Sequence, residues 1–432
     1  MDFKIDTEWD ADRDLADIDV AQIQITAGDE ILSQLIDHGT GTNRPFFEAS
    51  ALSLAFFFAD NWWRLRHETL GDLRYPSIDW RLRHELSAAS GGVLWPQMMI
   101  YGVGERVTLA MPPNHRQAAG PTRYLDFAPI AIEGGTYEDG VDAFFERVAS
   151  ETARHPDAGA FGHLLAQLRT EREDSDIAAW RVLEACLGFD PDGAPEEVIA
   201  GMTAFEERFG EDAVEEAAVA APGKESPEVL ERVIAASEAS TIVVDLSEFV
   251  GIDPWSQMQR GTVPWQLAEN AARQLHERLK KPGHLAGERF TDLLRIRADD
   301  FRRADATARD LPYAAKLGET RRNAFAMQME PLQLRRFEAA RMIGDSLWSN
   351  NAALGVVSRS KSDRQKFQRA FAKALLVPFS ELRKRVDLER PDAHQITDAA
   401  DYFDVDRSVI RAILVDKGYL DPPSYEVLLE NA

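Results

Sequence analysis

The sequence predicts an α+β protein in which helices predominate. Apolar residues alternate with polar ones near the N-terminus, as in half-buried strands, whereas most of the remaining chain carries helix formers and helix-start signals. At 432 residues, with 44% hydrophobic and 28% charged side chains, the chain is long enough for two or three domains with their own cores.

Residues 1–155 are predicted to form an N-terminal α+β domain of a type that we do not recognise. Phe3, Ile5 and Trp9 alternate with polar residues, as do Ile23 and Ile25, which predicts short strands. The further elements predicted in this domain are a helix over 46–68, strands over 93–101, 106–111 and 124–132, and a helix from 137 to about 155.

Residues 156–250 are predicted to form an acidic helical region. Pro195 and Pro227 stand in the first turns of helices, where proline is tolerated and following carboxylates favour the helix N-terminus. A short β-like run follows over 241–246, and 251–262 is the predicted linker. Several glutamates of this region predict a solvated face, with a nucleic-acid-mimicking surface as the alternative: Glu206, Glu207, Glu211, Glu215 and Glu216.

The formal net charge of −24 is divided unequally between the two parts of the chain. Residues 1–250 contain 19 basic and 47 acidic side chains, whereas residues 251–432 contain 30 and 26. Within the second part, residues 321–390 hold 15 basic against 7 acidic side chains. This segment is a candidate patch for phosphate or for an acidic protein surface, and the alternative is that it docks on the acidic part of its own chain.

The composition predicts a cytoplasmic protein with no membrane contact. The longest apolar run, Ala51 to Ala59, is much shorter than the ~20 residues of a membrane span, and no signal segment is present. The single cysteine, Cys186, cannot form an intramolecular disulfide, and we expect it to be buried packing.

Residues 263–420 are predicted to form a C-terminal unit, with 421–432 as a loose tail. A helix begins at Pro264-Trp265, and a helix over 331–348 follows two strands. Its remaining elements are strands over 312–316 and 322–329, a helix through 367–378, and two short helices within 396–420 that meet near 403–406.

The order of these elements and several spaced residues resemble the ImmA/IrrE family of zinc endopeptidases. The resemblance covers about residues 263–420. The matching residues are Arg336-Phe337, Ala340 and Gly344 on the first helix, Phe371-Ala372 and Leu375-Leu376-Val377-Pro378 on the second, and Ala399, Phe403, Val409 and Ile410 near the end. The resemblance implies a zincin-like domain.

In that family the first helix supplies two histidines and a catalytic glutamate. The corresponding positions here hold Arg341, Met342 and Asp345, none of which preserves the motif. Around the position of the family's third ligand, Asp363 stands too early, and Lys366 and Arg369 stand closer.

We therefore expect neither a metal nor another cofactor, and we hypothesise that Arg341 and Asp345 pair in the space where a metal would lie. The alternatives are an exposed ion pair and metal retention by other ligands.

The resemblance implies recognition of a protein partner of the repressor or toxin type, without cleavage. Nucleic acid, bound through 321–390, is the alternative, and the sequence leaves the oligomeric state open. The candidate binding residues are Arg335, Arg336, Arg364, Lys366, Arg369, Arg407 and Arg411. The last two short helices also resemble a helix-turn-helix with Arg407, Arg411 and Lys417 outward, although Asp404, Asp406 and Asp416 favour a structural closure.

The segment Trp-Arg-Leu-Arg-His-Glu occurs twice, at 63–68 and 80–85. One interpretation makes His67, Glu68, His84 and Glu85 an acid–base or metal cluster. The favoured interpretation is two amphipathic helices with buried tryptophans and solvated charges.

No phosphate-binding glycine motif or serine nucleophile motif is present. The sequence thus predicts a non-catalytic regulator or sensor of the ImmA/IrrE type in a stress-response, toxin–antitoxin or phage-defence setting. The alternatives are a hydrolase with an unorthodox site and a DNA-binding transcriptional regulator.

Overall fold

The computed structural model describes residues 1–11, 18–70, 76–89, 95–111, 122–257, 263–279, 285–319, 321–350 and 352–421. The chain is α+β and divides into two compact units. Unit 1 comprises Met1–Ala200 and Pro222–Lys224, and unit 2 comprises Gly201–Ala221 and Glu225–Ala432. The division into three domains drawn from the sequence stays a prediction.

The described residues of unit 1 form three small antiparallel sheets. Strand β2 is central to the first, where β1 pairs with one edge and β3 and β6 pair with the other; the other two sheets have the orders β10-β8-β7 and β5-β4-β9. The strands are β1 (Phe3–Glu8), β2 (Val20–Ala27), β3 (Glu30–Ile31), β4 (Leu35–Asp37), β5 (Thr42–Arg44), β6 (Phe47–Ser50), β7 (Met99–Val103), β8 (Arg106–Ala110), β9 (Thr122–Tyr124) and β10 (Ile130–Glu133).

Helices cover these sheets and supply much of an aromatic core. Phe58, Phe144 and Phe161 are fully buried, and Tyr137 stacks on Phe3 with ring centroids 5.3 Å apart. The helices that lie wholly in unit 1 are α1 (Ala51–Asp60), α2 (Trp62–His67), α3 (Ile78–His84), α4 (Gly134–Glu151), α5 (Ala158–Glu173) and α6 (Ser175–Cys186), and a 3-10 turn covers Leu86–Ala88.

The alternation near the N-terminus is confirmed, because Phe3, Ile5, Ile23 and Ile25 are all buried on β1 and β2. The predicted helix over 46–68 is wrong at its start, since β6 forms there before α1 begins after the N-cap Ser50. The predicted strand over 124–132 is also wrong as one element: it splits into β9 and β10, which belong to different sheets. Residues 93–94 lie outside the described residues.

Unit 2 is built on one four-stranded antiparallel sheet of order β11-β13-β12-β14. Its strands are β11 (Val243–Val244), β12 (Ala314–Glu319), β13 (Arg322–Ala326) and β14 (Leu354–Val357). Ala314, Ala315 and Lys316 are buried in succession on β12, which shows that both faces of this strand are covered.

The helices of unit 2 follow the order predicted from the sequence, with additional short elements between them. Helix α7 (Glu196–Phe209) spans the boundary in sequence between the units. The others are α8 (Glu211–Ala220), α9 (Ser226–Glu238), α10 (Pro264–Arg278), α11 (Glu288–Leu293), α12 (Ala298–Arg303), α13 (Leu332–Trp348), α14 (Asp363–Leu376), α15 (Phe379–Leu382), α16 (Ala393–Phe403) and α17 (Arg407–Asp416), with 3-10 turns at Ser247–Phe249 and Pro254–Gln257.

The core of unit 2 lies where α13 packs on the sheet and α14 packs between α13 and α10. Phe325, Ile343, Phe367 and Phe371 are fully buried there. Strand β14 was not predicted from the sequence, and it forms the edge of the sheet beside α13. Of the predicted linker, 258–262 lie outside the described residues, as do 422–432 of the predicted tail. No described helix combines the length and apolar composition that a bilayer crossing requires.

Candidate functional site

Arg341, Met342 and Asp345, which the resemblance aligns with the zinc motif, lie in the middle of α13, on the side that faces the sheet and α14. Met342 and Asp345 are fully buried, and Arg341 is half-buried. A carboxylate without exposure must have hydrogen-bond donors around it, because an unpaired buried charge is strongly unfavourable. The partners of Asp345 therefore decide what this site can do.

Asp345 is bound by two side chains from α14. Arg364 donates from Nε to Oδ1 at 2.6 Å and from Nη2 to Oδ2 at 2.8 Å. Gln368 adds a third hydrogen bond, from Nε2 to Oδ1 at 2.6 Å. This two-pronged arginine–carboxylate geometry is among the strongest pairings available to a buried charge.

The predicted ion pair between Arg341 and Asp345 is wrong. Arg341 donates instead from Nη2 to the backbone oxygen of Ser358 and to Oε1 of Gln365, both at 2.5 Å. Arg364 of the neighbouring helix binds Asp345 through two guanidinium nitrogens, and Arg341 therefore donates to neutral oxygen atoms. Burial, together with the nearby cation Arg369, lowers the pKa of Arg341 to about 9.

A fourth basic side chain completes the surroundings. Lys316 of β12 is fully buried and donates to the backbone oxygen of Ala352 at 2.6 Å, and burial lowers its pKa to about 8. Gly355 of β14 provides the space for this arrangement, because a Cβ atom there would lie 2.2 Å from Oδ2 of Asp345.

These residues do not fit a zinc ion. Zinc takes imidazole, thiolate or carboxylate ligands, and the lone pairs of the one carboxylate at the motif are already directed at Arg364 and Gln368. Arg341 and Lys316 add positive charge on either side. Within the described ranges, no group of three histidine, cysteine, aspartate or glutamate side chains is placed to hold a metal ion.

Helix α8 packs against β14, next to this ion-pair network. Its Glu216 accepts hydrogen bonds from the hydroxyl of Ser362 at 2.8 and 2.9 Å, and the backbone oxygen of Asp212 accepts one from Arg364 at 3.2 Å. Burial raises the pKa of Glu216. The prediction of a solvated face is wrong for Glu216, which is buried, because α8 lies on the edge strand.

Two of the predicted binding arginines, Arg335 and Arg336, are buried on α13 and used internally. Arg335 donates to the backbone oxygen of Phe301 at 2.8 Å. Arg336 pairs with the Asp404 carboxylate at 2.7 Å and also donates to the Asp404 backbone oxygen, which fixes the turn between α16 and α17. Because Arg335, Arg336 and Arg364 are buried, they do not contribute to the basic patch predicted for 321–390.

The remaining predicted binding residues are at least partly exposed. Arg407 and Arg411 are exposed on α17, and Lys366 and Arg369 are half-buried on α14. Glu338, one turn before Met342, was not predicted to be part of the site. It accepts hydrogen bonds from the backbone N–H groups of Gln328 at 3.0 Å and Met329 at 3.1 Å, and burial raises its pKa to about 7.

In unit 1 the structure brings together the two copies of the repeated segment. Glu68 from the first copy accepts a bidentate pair from Arg64 and lies 2.9 Å from Nε2 of His84, which belongs to the second copy. Nδ1 of His84 donates to the backbone oxygen of Ile100 at 2.7 Å. Burial opposes the charge on Glu68, but His84 and Arg64 outweigh it and lower the Glu68 pKa.

This cluster is enclosed by aromatic rings. Trp80 stacks on His84 with centroids 4.0 Å apart, and His84 has no exposed surface. The prediction of buried tryptophans is confirmed, whereas the prediction of solvated charges is wrong for Arg64, Glu68 and His84. The other predicted members are separate from the pair: Glu85 binds Arg81 at 2.6 Å, and the His67 ring packs on Trp63.

Cys186 is buried, as expected. The signals that sequence reasoning missed were the polar side chains Gln365 and Gln368 on an otherwise apolar helix face and the short apolar run of β14. Comparison of the chain with protein-family models, with curated proteins and with solved structures finds no match. Membership in the ImmA/IrrE family stays a prediction from the residues named above.

Proposed function

We propose that unit 2 is a non-catalytic module of the ImmA/IrrE type that recognises a protein partner without cutting it. The observation that carries the proposal is the bidentate binding of Asp345 by Arg364, at 2.6 and 2.8 Å, at the centre of the altered motif. The regulatory setting, in stress response, toxin–antitoxin control or phage defence, is taken from the resemblance.

The chemistry of the three positions supports recognition over hydrolysis. Hydrolysis by a zinc peptidase needs ligands that donate lone pairs and a carboxylate that accepts the proton of the attacking water. Arg341 offers no lone pair, Met342 cannot act as a base at neutral pH, and Asp345 is engaged by Arg364.

The burial of three arginines favours a protein partner over nucleic acid. Phosphate binding depends on basic side chains that reach the surface. Arg335, Arg336 and Arg364 are each at most 4% exposed and donate within the unit. The direct DNA-binding function is accordingly the weaker alternative, and steeply salt-dependent retention of the full chain on DNA would favour it.

The first experiment restores the metal chemistry. We expect the purified wild-type chain to contain no stoichiometric zinc. A variant with Arg341→His, Met342→Glu, Asp345→His, Arg364→Gln and Gln368→Glu should bind about one zinc per chain. It recreates two imidazoles and a carboxylate on the facing helices, and it removes the guanidinium that contacts residue 345. Position 368 is chosen because its side chain lies 2.6 Å from Asp345.

The matched control keeps Gln368 and changes the other four positions, and we expect it to bind zinc more weakly because it lacks the third ligand. Elemental analysis measures the zinc, and circular dichroism verifies that each variant is folded. Stoichiometric zinc in the wild-type chain would overturn the non-catalytic function. A folded fivefold variant without zinc would contradict the resemblance to the peptidase frame.

The second experiment tests recognition without cleavage. The tagged full chain is purified from its own cells together with the proteins bound to it. Untagged chain is then added to displace the bound proteins, which are analysed by intact mass spectrometry. We expect a displaced partner of full length. A partner cut at one position, with the cut lost in an Asp345→Ala variant that circular dichroism shows to be folded, would support the hydrolase alternative.

A further inference from the structure

A cavity of about 680 Å³ lies in unit 2 between α10, α14 and α17. Its volume is within the range of small-molecule sites, roughly 300–1,000 Å³. Ala272, Ala370 and Val377 form a buried apolar floor, and polar and charged side chains form the walls. A concave apolar floor with a few convergent polar groups is the usual composition of a ligand pocket.

The walls carry an excess of positive charge. Five basic side chains line the cavity against two carboxylates, Glu269 and Asp416. Both carboxylates already have partners, since Lys417 donates to Glu269 at 2.7 Å and Lys373 pairs with Asp416. The basic side chains that line the cavity are Arg273, Lys366, Arg369, Lys373 and Lys417.

Three of the cations line the cavity from α10 and α14. Arg273 is exposed and donates to the neutral side-chain oxygen of Asn270 at 2.8 Å. On α14, Lys366 pairs with Asp363 at 3.3 Å, and Arg369 donates to the backbone oxygen of Ser360 at 3.0 Å. The five cations still outnumber the three carboxylates Glu269, Asp363 and Asp416, and such an excess in one concave site favours a ligand with more than one negative charge, such as a phosphate group.

An aromatic ring stands at the same cavity. Trp265, in the first turn of α10, is 47% exposed, although tryptophan is among the most hydrophobic side chains. Nε2 of His276 donates to the backbone oxygen of Leu375 at 3.0 Å, so the C-terminal ends of α10 and α14 lie together and the two helices run parallel. Trp265 therefore lies at the same end of the cavity as Lys366.

We infer that this cavity binds a nucleoside phosphate, with the base against Trp265 and the phosphate among Arg273, Lys366 and Arg369. An indole ring beside a basic groove is the combination that binds a nucleobase by stacking and its phosphate by charge-assisted hydrogen bonds. The inference shares Lys366 and Arg369 with the residues predicted to bind a partner, but it uses none of Arg341, Met342 and Asp345. Nucleotide titration and zinc analysis therefore test the two functions separately.

The test is calorimetric titration of the full chain with AMP, GMP, CMP and UMP, with the four nucleosides, and with inorganic phosphate. We expect at least one nucleotide to bind about 10-fold to 100-fold more tightly than inorganic phosphate, because stacking on an aromatic ring adds to the phosphate contacts. We expect the nucleoside alone to bind more weakly than its nucleotide.

Two exposed substitutions separate the contributions. Trp265→Ala should weaken nucleotide binding about tenfold and leave the phosphate affinity unchanged, whereas Arg273→Gln should weaken both about tenfold. The matched controls outside the cavity are Trp255→Ala and Arg302→Gln, which should change neither affinity. Both control side chains are exposed in unit 2 and do not line the cavity.

Three results would overturn the inference. The first is no measurable nucleotide binding at about 1 mM. The second is equal affinity for nucleotides and inorganic phosphate, which would show adventitious anion binding only. The third is unchanged nucleotide affinity in Trp265→Ala when circular dichroism shows that the variant is folded.

Discussion

Removing the carboxylate charge of Asp345 tests the ion-pair network directly. Asp345→Asn keeps the size of the side chain and one oxygen acceptor, but it leaves the guanidinium of Arg364 without its counter-ion. Burial alone would lower the pKa of Arg364, yet the carboxylate of Asp345 stabilises the charged guanidinium and holds this pKa above the usual arginine value. The variant should therefore destabilise unit 2.

The size of the loss follows from the burial of the two side chains. Asp345 has no exposed surface and Arg364 is 4% exposed, so solvent cannot screen the cation that remains. Breaking a buried pair by removing one partner costs about 3–5 kcal/mol of unfolding free energy. Because Glu216 also interacts electrostatically with Arg364, we expect a loss near the lower end, about 3 kcal/mol.

The assay must report on unit 2 alone, since a chain of two units need not unfold in one step. Hydrogen exchange of peptides from α13 and α14, followed by mass spectrometry across a urea series, gives that local free energy. The double variant Asp345→Asn with Arg364→Gln completes a double-mutant cycle and should recover part of the loss.

An exposed pair supplies the control. Asp299 and Arg302 are 3.2 Å apart with both side chains more than half exposed, so Asp299→Asn should change stability by less than about 1 kcal/mol. A loss below about 1 kcal/mol for Asp345→Asn, or a coupling energy near zero in the cycle, would refute the buried ion pair.

Three further predictions concern buried ionisable groups. Burial raises the pKa of Glu338 from 4.5 to about 7, so the unfolding free energy of the wild-type chain should fall as the pH rises through that window, and Glu338→Gln should reduce this fall. Urea unfolding at about pH 5 and about pH 8 measures the change, and an equal change in both proteins would contradict the prediction. Burial lowers the pKa of Lys316 from 10.5 to about 8, so the unfolding free energy of the wild-type chain, relative to that of Lys316→Met, should increase as the pH rises from about 8 to 10.5. An equal pH dependence of stability in both proteins would show that the lysine is solvated. Glu68→Gln should cost unit 1 about 2 kcal/mol, since it removes the carboxylate that Arg64 and His84 share while Asp190 still pairs with Arg64 at 3.0 Å. Unchanged hydrogen exchange of peptides from α2 would exclude that role.

Much of the architecture could be predicted from local patterns. Alternation identified β1 and β2, and periodicity predicted α10, β12, β13, α13, α14, α16 and α17 in their order along the chain, but not the short elements between them. Strand β14 was missed because four apolar residues between two helices carry no periodicity of their own. It forms because β12 pairs with it through residues more than thirty positions away.

The pairing of the buried charged side chains could not be predicted from the sequence. Helical spacing placed Arg341 and Asp345 on one side of α13, and that spacing alone suggested a pair. In the structure, Arg364 of α14 binds the carboxylate of Asp345 instead. Likewise the repeated segments gave no sign that Glu68 of one copy meets His84 of the other, because the intervening chain decides how the two short helices approach each other.

The sequence by itself determined that a helix forms over 332–348 and that it carries Arg341, Met342 and Asp345, which lack the ligands of a zinc motif, because helix periodicity and side-chain chemistry are local properties. Only the tertiary structure decided which cation neutralises Asp345, that Glu216 lies buried near β14, and that a basic cavity opens between α10 and α14. These features depend on contacts between distant segments, where burial makes the choice of partner strongly dependent on geometry.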